Sequence, residues 1–190
     1  MSLRELNQIA LVTALMAFLA QLSIPLPFSP VPLTGQLIGV LFAGLLLGGK
    51  NGFIAVLAYL MLGAAGLPLF SYGRGGPGLL FGPTGGYLWG FLPGVFFCGK
   101  LLEKHRTPGF IRTTAAMLCC LGCTYLAGTV QLALVMGYST IEALLAGVIP
   151  FLPADLAKIA LVASAGIKIK KRVQPCPHPI LVNKSITGES

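Results

Sequence analysis

Asp155 and Lys158 are the two residues whose types and spacing offer the clearest chemistry in this sequence. They lie three positions apart, so on a helix they share one face, and they are the only charged pair inside a long apolar stretch. A charge in hydrocarbon costs several kcal/mol, and intramembrane ionisable residues usually face a cavity or one another. Pro153 predicts a helix start just before them, where the helix dipole favours a carboxylate. Two interpretations fit: a site for a polar ligand, or a self-satisfied ion pair that ties helices together.

The composition of the chain places this pair in a membrane. Of 190 residues, 55% are hydrophobic and only 9% are charged, whereas a soluble domain carries about 25% charged residues. This small number of charges cannot cover the surface of a water-soluble globule. Most of the exterior must therefore face hydrocarbon. The sequence therefore predicts one compact integral membrane domain.

Six apolar stretches supply the elements of that domain. Each approaches the length of about 20 residues that a helix needs to cross the hydrocarbon core. The stretches run over about residues 6–24, 31–49, 52–70, 85–102, 113–137 and 143–167. We therefore expect an all-α membrane protein, a compact bundle of six transmembrane helices over residues 1–172. Residues 173–190 form a polar, proline-punctuated tail that we expect to be cytoplasmic and disordered.

The basic residues predict the orientation of the bundle. With six spans and a cytoplasmic N-terminus, Arg74 is the one basic residue in the outer loops. The cytoplasmic ends then hold Arg4, Lys50, Lys100, Lys104, Arg106, Arg112, Lys168, Lys170, Lys171, Arg172 and, in the tail, Lys184. Both termini are thus predicted to be cytoplasmic. Topology and anionic lipid account for the net charge of +8, and no nucleic-acid partner is expected.

Two outer loops have unusual compositions. The segment 24–36 contains Pro25, Pro27, Pro30 and Pro32, which predicts either a stiff, shaped segment or a plain connection ending with Pro32 near the start of a helix. The segment 73–86 has seven glycines in fourteen residues, which lets backbone N–H groups approach a ligand closely. It lacks the Gly-Lys-Ser or Gly-Lys-Thr ending of a P-loop, so a nucleotide site is not expected there.

Four segments resemble the BioY family, the biotin-specific membrane components of energy-coupling-factor (ECF) transporters. They occur in the family order and are Pro25-Leu-Pro-Phe-Ser-Pro-Val-Pro-Leu-Thr-Gly-Gln36, Gly63-Ala-Ala-Gly-Leu-Pro68, Gly82-Pro-Thr-Gly-Gly-Tyr-Leu88 and Pro150-Phe-Leu-Pro-Ala-Asp-Leu-Ala-Lys158. The resemblance covers about residues 8 to 170. It implies a bacterial cytoplasmic-membrane protein that captures biotin from outside and passes it inward. In many members this needs a transmembrane partner and two cytoplasmic ATPases; the alternative is a stand-alone biotin transporter.

The chemistry of biotin agrees with that implication. Its ureido ring has two N–H donors and a carbonyl acceptor, which match the carboxylate of Asp155 and the ammonium of Lys158. Arg74 could meet the biotin carboxylate, although an exposed arginine is usually only solvated. The remaining residues of the expected site lie in the motif segments: Phe28, Thr34, Gln36, Gly85, Tyr87 and Phe151. Phe28, Tyr87 and Phe151, with Phe70, are the available apolar walls, although an aromatic residue alone is more often part of the core.

The first apolar stretch carries a pair of small residues, Ala10 and Ala14, which allow close helix approach in lipid. The resemblance implies that this face docks on the transmembrane partner, while internal packing is the alternative. The chain has no ATP-binding motif, so active transport would draw its energy from other proteins.

Enzyme classes fit the sequence poorly. An aspartyl protease needs two carboxylates that share a proton, and Asp155 is the only aspartate. A zinc protease needs a His-Glu-x-x-His helix, which His105 and His178 do not provide. A channel would need polar residues along several spans. No enzymatic activity, metal or cofactor is expected.

Overall fold

A computed structural model describes residues 1–103 and 108–173 of the protein, with side chains up to residue 170. Within these ranges the chain forms eight α-helices and one antiparallel pair of strands. The elements are α1 (Leu3–Gln21), β1 (Ser23–Leu26), β2 (Ser29–Thr34), α2 (Gln36–Phe42, continued by a π-helical turn over Ala43–Leu47), α3 (Gly48–Ala64), α4 (Gly78–Phe81), α5 (Gly85–Glu103), α6 (Phe110–Met136), α7 (Thr140–Gly147) and α8 (Leu152–Val173). The predicted tail, except Val173, lies outside the described residues.

Several of these helices are long and apolar enough to cross a membrane. By length and composition, the candidates among the described residues are α1, α6 and the stretch from Gln36 to Ala64, which contains both α2 and α3; α7 and α8 together make a fourth, bent by 51°. Large apolar side chains project outward from them, such as Leu134, which is 79% exposed. The protein is therefore mainly helical, with an exterior suited to lipid.

The stretch from Gln36 to Ala64 is not one straight rod. Gly48 has a left-handed φ of 78°, and a Cβ built on Gly52 would lie 3.0 Å from the carbonyl oxygen of Ala43. In a continuous helix, nine residues would separate those positions by about 13.5 Å. The chain therefore reverses direction at Gly48, between the second and third predicted stretches.

The beginning of the second predicted stretch, residues 31–49, is not helical. Residues 29–34 form β2, which pairs with β1 through Ser23 opposite Thr34 and Ile24 opposite Leu33, and the helix starts only at Gln36. Pro30 and Pro32 explain the difference, because a residue before proline is pushed into the extended region. The prediction of a plain connection ending at Pro32 is also wrong, since Pro32 lies within a strand of this hairpin.

Two other predicted stretches end or break early. The third, 52–70, loses its helix at Ala64, before Gly66 with its φ of 101° and Pro68. The sixth, 143–167, is interrupted between Gly147 and Leu152, around Pro150, so α7 and α8 are separate helices. The start of α8 at Leu152 agrees with the prediction from Pro153.

Close packing of α5 on α6 sets the framework behind the site. Gly90 and Gly94 lie one turn apart on α5, and a Cβ on Gly90 would lie 2.7 Å from the Cα of Thr124. A Cβ on Gly94 would lie 2.9 Å from the carbonyl oxygen of Cys120. Small residues at this spacing let the two backbones approach, as they commonly do in membrane helix pairs.

This contact leads to a stability prediction. Gly90→Ala should lower the free energy of unfolding by about 1–3 kcal/mol, the usual cost of overpacking, because the new methyl group meets backbone atoms that cannot move aside. Gly122→Ala on α6 is the matched control, since a Cβ there meets no atom within 4 Å. Thermal melting of both variants in detergent checks the expectation, and equal melting temperatures would contradict it.

Candidate functional site

A cavity of about 390 Å³ opens at one end of the bundle, among the hairpin, the loop after α3, α5, α6 and the junction of α7 and α8. Its walls are largely apolar and aromatic, with a few polar side chains, the usual composition of a small-molecule site. The aromatic side chains in its lining are Phe70, Tyr72, Tyr87, Phe91, Tyr125 and Phe151. The charged side chains are Arg74, Asp155 and Lys158.

Asp155 and Lys158 form the predicted ion pair. Asp155 lies in the first turn of α8, and its Oδ1 is 2.6 Å from the Nζ of Lys158. Tyr125 on α6 donates its phenolic O–H to the other carboxylate oxygen over 2.7 Å. Asp155 is only 7% exposed, so both donors act in a site largely shielded from solvent.

Lys158 also connects α8 to the hairpin. Its Nζ donates to the backbone carbonyl of Thr34, at the end of β2, over 2.7 Å. An ammonium has three donors and a carboxylate can accept about four hydrogen bonds, so both groups retain capacity beyond these contacts. Because both side chains line the cavity, that remaining capacity is available to a bound molecule.

Gln36 lies deep in the cavity wall, at the start of α2. Its amide donates to the hydroxyl of Tyr59 over 2.6 Å, and its carbonyl accepts from the Thr34 hydroxyl over 3.3 Å. Tyr59 in turn donates to the backbone carbonyl of Leu69 over 3.0 Å. This chain of hydrogen bonds fixes the end of the hairpin against α3 and the loop that follows it.

Tyr87 and Phe151 both line the cavity. The hydroxyl of Tyr87 donates to the carbonyl of Gly147 over 2.8 Å, so its ring presents mainly an apolar surface to the cavity. A side chain at Gly128 or Gly147 would collide with Tyr87. Glycine at those positions therefore makes room for this ring.

Arg74 lies at the cavity mouth. It is exposed, and its guanidinium carbon lies 5.2 Å from the centroid of the Tyr72 ring, a cation–π distance. Its side chain belongs to the cavity lining. The structure thus brings Arg74 to the same cavity as the ion pair.

Two predicted site residues do not line the cavity. Phe28 is at the turn of the hairpin, between β1 and β2, and is 64% exposed. Gly85 begins α5 packed against the backbone of Leu80, where a Cβ would collide. Gly85 therefore shapes the connection from α4 to α5 and does not contact the cavity.

Comparisons with known proteins agree with this architecture. The family model described as "BioY family" matches residues 1–175. The chain belongs to the BioY family. It is 38% identical over 169 residues to the "Biotin transporter BioY" of Thermotoga maritima, covering 89% of this chain and 97% of that protein. It is 40% identical over 174 residues to the "Biotin transporter BioY" of Rhizobium etli, covering 87% and 92%.

A solved structure is similar to the fold. It is the crystal structure of the S-component for biotin from an ECF-type ABC transporter, which matches with a TM-score of 0.83 and 30% sequence identity. The match covers 90% of this chain and 92% of that one. The fold of this chain is therefore similar to that of the S-component over most of its length.

The small-residue face of α1 in this BioY-family chain is on the outside. Ala10 and Ala14 are both exposed, whereas Ile9, Thr13 and Met16 face the interior. The alternative prediction, that the two alanines pack inside the protein, is therefore wrong. Their surface is open to lipid or to another protein.

Tyr125 and Tyr72 are cavity residues that the sequence did not indicate. Tyr125 is in an apolar stretch, thirty positions before Asp155, so only the packing of α6 on α8 brings them together. Tyr72 lies in a loop whose unusual conformation the sequence does not reveal.

Proposed function

We propose that this protein takes up biotin across the bacterial cytoplasmic membrane, by capturing it from the outside and delivering it inward. The observation that carries the proposal is the pair of the buried Asp155 and the part-buried Lys158, which lies in an otherwise largely apolar cavity and retains hydrogen-bonding capacity. The names of its relatives and of the similar S-component support the same ligand. In this account the protein is a carrier without enzymatic activity.

The ligand orientation follows from the charges. Asp155 accepts a ureido N–H, and Lys158 donates to the ureido carbonyl, so the polar ring of biotin binds deep in the cavity. Tyr87 and Phe151 enclose its apolar bicycle, while Thr34 and Gln36 contribute polar groups at the end of the hairpin. Arg74 receives the carboxylate at the mouth, where solvent remains accessible.

The distribution of charge supports a cytoplasmic location for both termini. Glu103 lies within 3.5 Å of Lys100 and accepts from the backbone N–H of Gly49, and Lys170 donates to the carbonyl of Leu102. These contacts bring together the chain around Lys50, Lys100 and Lys170, at the end of α5 opposite the cavity. Under the positive-inside rule that end is cytoplasmic and the cavity opens outward.

With both termini on the cytoplasmic side, we propose six spans. The reversal at Gly48 makes the turn between the second and third spans, and α7 with α8 makes the sixth. The membrane domain then covers residues 1–172, and residues 173–190 are a cytoplasmic tail. Membrane lipid contacts the apolar exterior.

We further propose that an ECF transmembrane subunit and two ATPase subunits energise transport, with α1 as the docking surface. Purification from native membranes under mild conditions should recover these subunits with the protein. Biotin uptake by the protein expressed without any of them would instead support the stand-alone alternative.

Uptake is the direct test of the function. Expression in a biotin-requiring bacterium without its own biotin transporter, together with the subunits recovered from native membranes, should restore growth at low external biotin and accumulation of radiolabelled biotin. An empty vector and the same strain expressing Asp155→Asn are the controls. Failure of the wild-type protein to promote uptake, while correctly inserted in the membrane with those subunits, would contradict the proposal.

Tyr125 allows a finer prediction about the site. Tyr125→Phe removes the hydrogen bond that holds the Asp155 carboxylate while it keeps the ring, so biotin should bind up to about tenfold more weakly, because the proposed ureido acceptor is less firmly positioned before the ligand arrives. Tyr138→Phe is a matched control, since Tyr138 is outside the cavity lining. Equilibrium binding of radiolabelled biotin measures both. Unchanged affinity in Tyr125→Phe would exclude this role for the phenol.

A further inference from the structure

The loop at the cavity mouth has an unusual backbone. We call residues 70–74 the mouth loop; the N–H of Phe70 donates to the carbonyl of Arg74 over 2.9 Å and closes it. Tyr72 has φ 63° and ψ 28°, and Gly73 has φ 66°, so two successive residues are left-handed. A bulky residue rarely adopts this conformation, which persists only where surrounding structure enforces it. The mouth loop supplies Phe70, Tyr72 and Arg74 to the cavity lining.

Gln21, the last residue of α1, holds both sides of this loop. Its Oε1 accepts from the backbone N–H of Gly73 over 2.8 Å. Its Nε2 lies within donor distance of the carbonyl of Ala17 in α1, at 3.2 Å, and of the carbonyls of Pro68 and Phe70, at 3.3 and 3.4 Å. The same amide therefore contacts the chain before the loop and, through Gly73, the left-handed turn itself.

Two other anchors act on the loop independently of Gln21. Phe70 is buried and packs on the backbone of Gly63, where any side chain would collide with its ring. Tyr59 donates to the carbonyl of Leu69 over 3.0 Å. Because these contacts fix the base of the loop, loss of Gln21 should release its tip, at Tyr72 to Arg74, without unfolding the domain.

We infer that Gln21 is a positioning residue that holds Tyr72 and Arg74 at the cavity mouth and thereby sets the affinity for the carboxylate end of biotin. The inference rests on the proposed function, since it deepens the account of the same cavity. Gln21 is not in the cavity lining, so it acts on the ligand through the mouth loop and the chain just before it. It also connects ligand recognition to α1, the helix with the exposed Ala10 and Ala14 face.

Two substitutions separate the acceptor role of Gln21 from its donor role. Gln21→Leu removes both the donor and the acceptor, whereas Gln21→Glu keeps an acceptor for Gly73 N–H and loses the donor to the carbonyls. Gln8→Leu is the control, because Gln8 lies on the same helix about 20 Å away. Each variant is purified as the full chain, and its binding of biotin and of biotinamide, which has no carboxylate, is measured beside its melting temperature.

The expected result is specific for the carboxylate. Gln21→Leu should weaken biotin binding about five- to tenfold and biotinamide binding less than about twofold. The affinity of Gln21→Glu for biotin should lie between those of Gln21→Leu and wild type. In an Arg74→Ala background the effect of Gln21→Leu on biotin should largely disappear, because coupled residues are not additive. Melting temperatures should stay near that of wild type.

Other outcomes would overturn the inference. Equal losses for biotin and biotinamide, or a full effect of Gln21→Leu in the Arg74→Ala background, would show a general structural role. Unchanged biotin binding in both Gln21 variants would also refute it. If the wild-type protein bound neither ligand, the proposed function itself would fail, and that result is distinguishable from all of these.

Discussion

Asp155→Asn is expected to weaken biotin binding by about one to two decades, which corresponds to the roughly 1.5–3 kcal/mol of a hydrogen bond to a charged group. Asparagine keeps the shape of the side chain but replaces the charged carboxylate acceptor of the ureido N–H by a neutral amide, in which one oxygen acceptor becomes an NH2 donor. It also leaves Lys158 beside a neutral group in a shielded site. Isothermal titration of the purified variant with biotin measures the loss, and wild-type affinity would contradict the role of Asp155.

The double change Asp155→Leu with Lys158→Leu separates a ligand site from a structural ion pair. It removes both charges at once, so neither is left buried alone, and such replacements are often neutral or stabilising for folding. We expect a folded protein that no longer binds biotin. Melting in detergent and biotin titration are both required, because retained affinity in a folded double variant would refute the site assignment.

Bulky residues on the exposed face of α1 are expected to abolish uptake and spare binding. Ala10→Trp with Ala14→Trp places two large rings where we propose that the transmembrane partner approaches, and neither side chain points into the protein. Uptake of radiolabelled biotin should fall to background while the purified variant binds biotin like wild type. Ala115→Trp, at an exposed alanine on α6, is the matched control and should transport normally. A parallel loss of binding in the α1 variant would contradict a docking role.

The sequence predicted the parts of the site that depend on local geometry. Asp155 and Lys158 are one helical turn apart, so their spacing alone was enough to predict contact, and Pro153 marked the nearby helix start. Tyr125 could not be predicted in the same way. Its contact with Asp155 depends on how α6 packs on α8, which no spacing in the chain encodes.

The differences between the predicted and the observed fold have a similar origin. Hydropathy marked residues 31–34 as part of a helix because Val31 and Leu33 are apolar, but the alternating prolines impose an extended backbone and a hairpin. Phe28 was predicted to be a wall because it is aromatic and near a motif. The hairpin turn places it outside, a consequence of strand pairing that composition does not reveal. The left-handed Tyr72 likewise depends on the tertiary contacts of its loop.

Titration of the purified protein with biotin, beside thiamine and riboflavin, tests the central claim most directly. We propose that the pair of Asp155 and Lys158 complements a ureido group and that the largely apolar walls of the cavity suit the bicycle, so specificity should follow that combination. The account predicts tight, saturable binding of biotin and no binding of the other two vitamins. A folded protein that gives no biotin binding, or that binds all three vitamins alike, would contradict it.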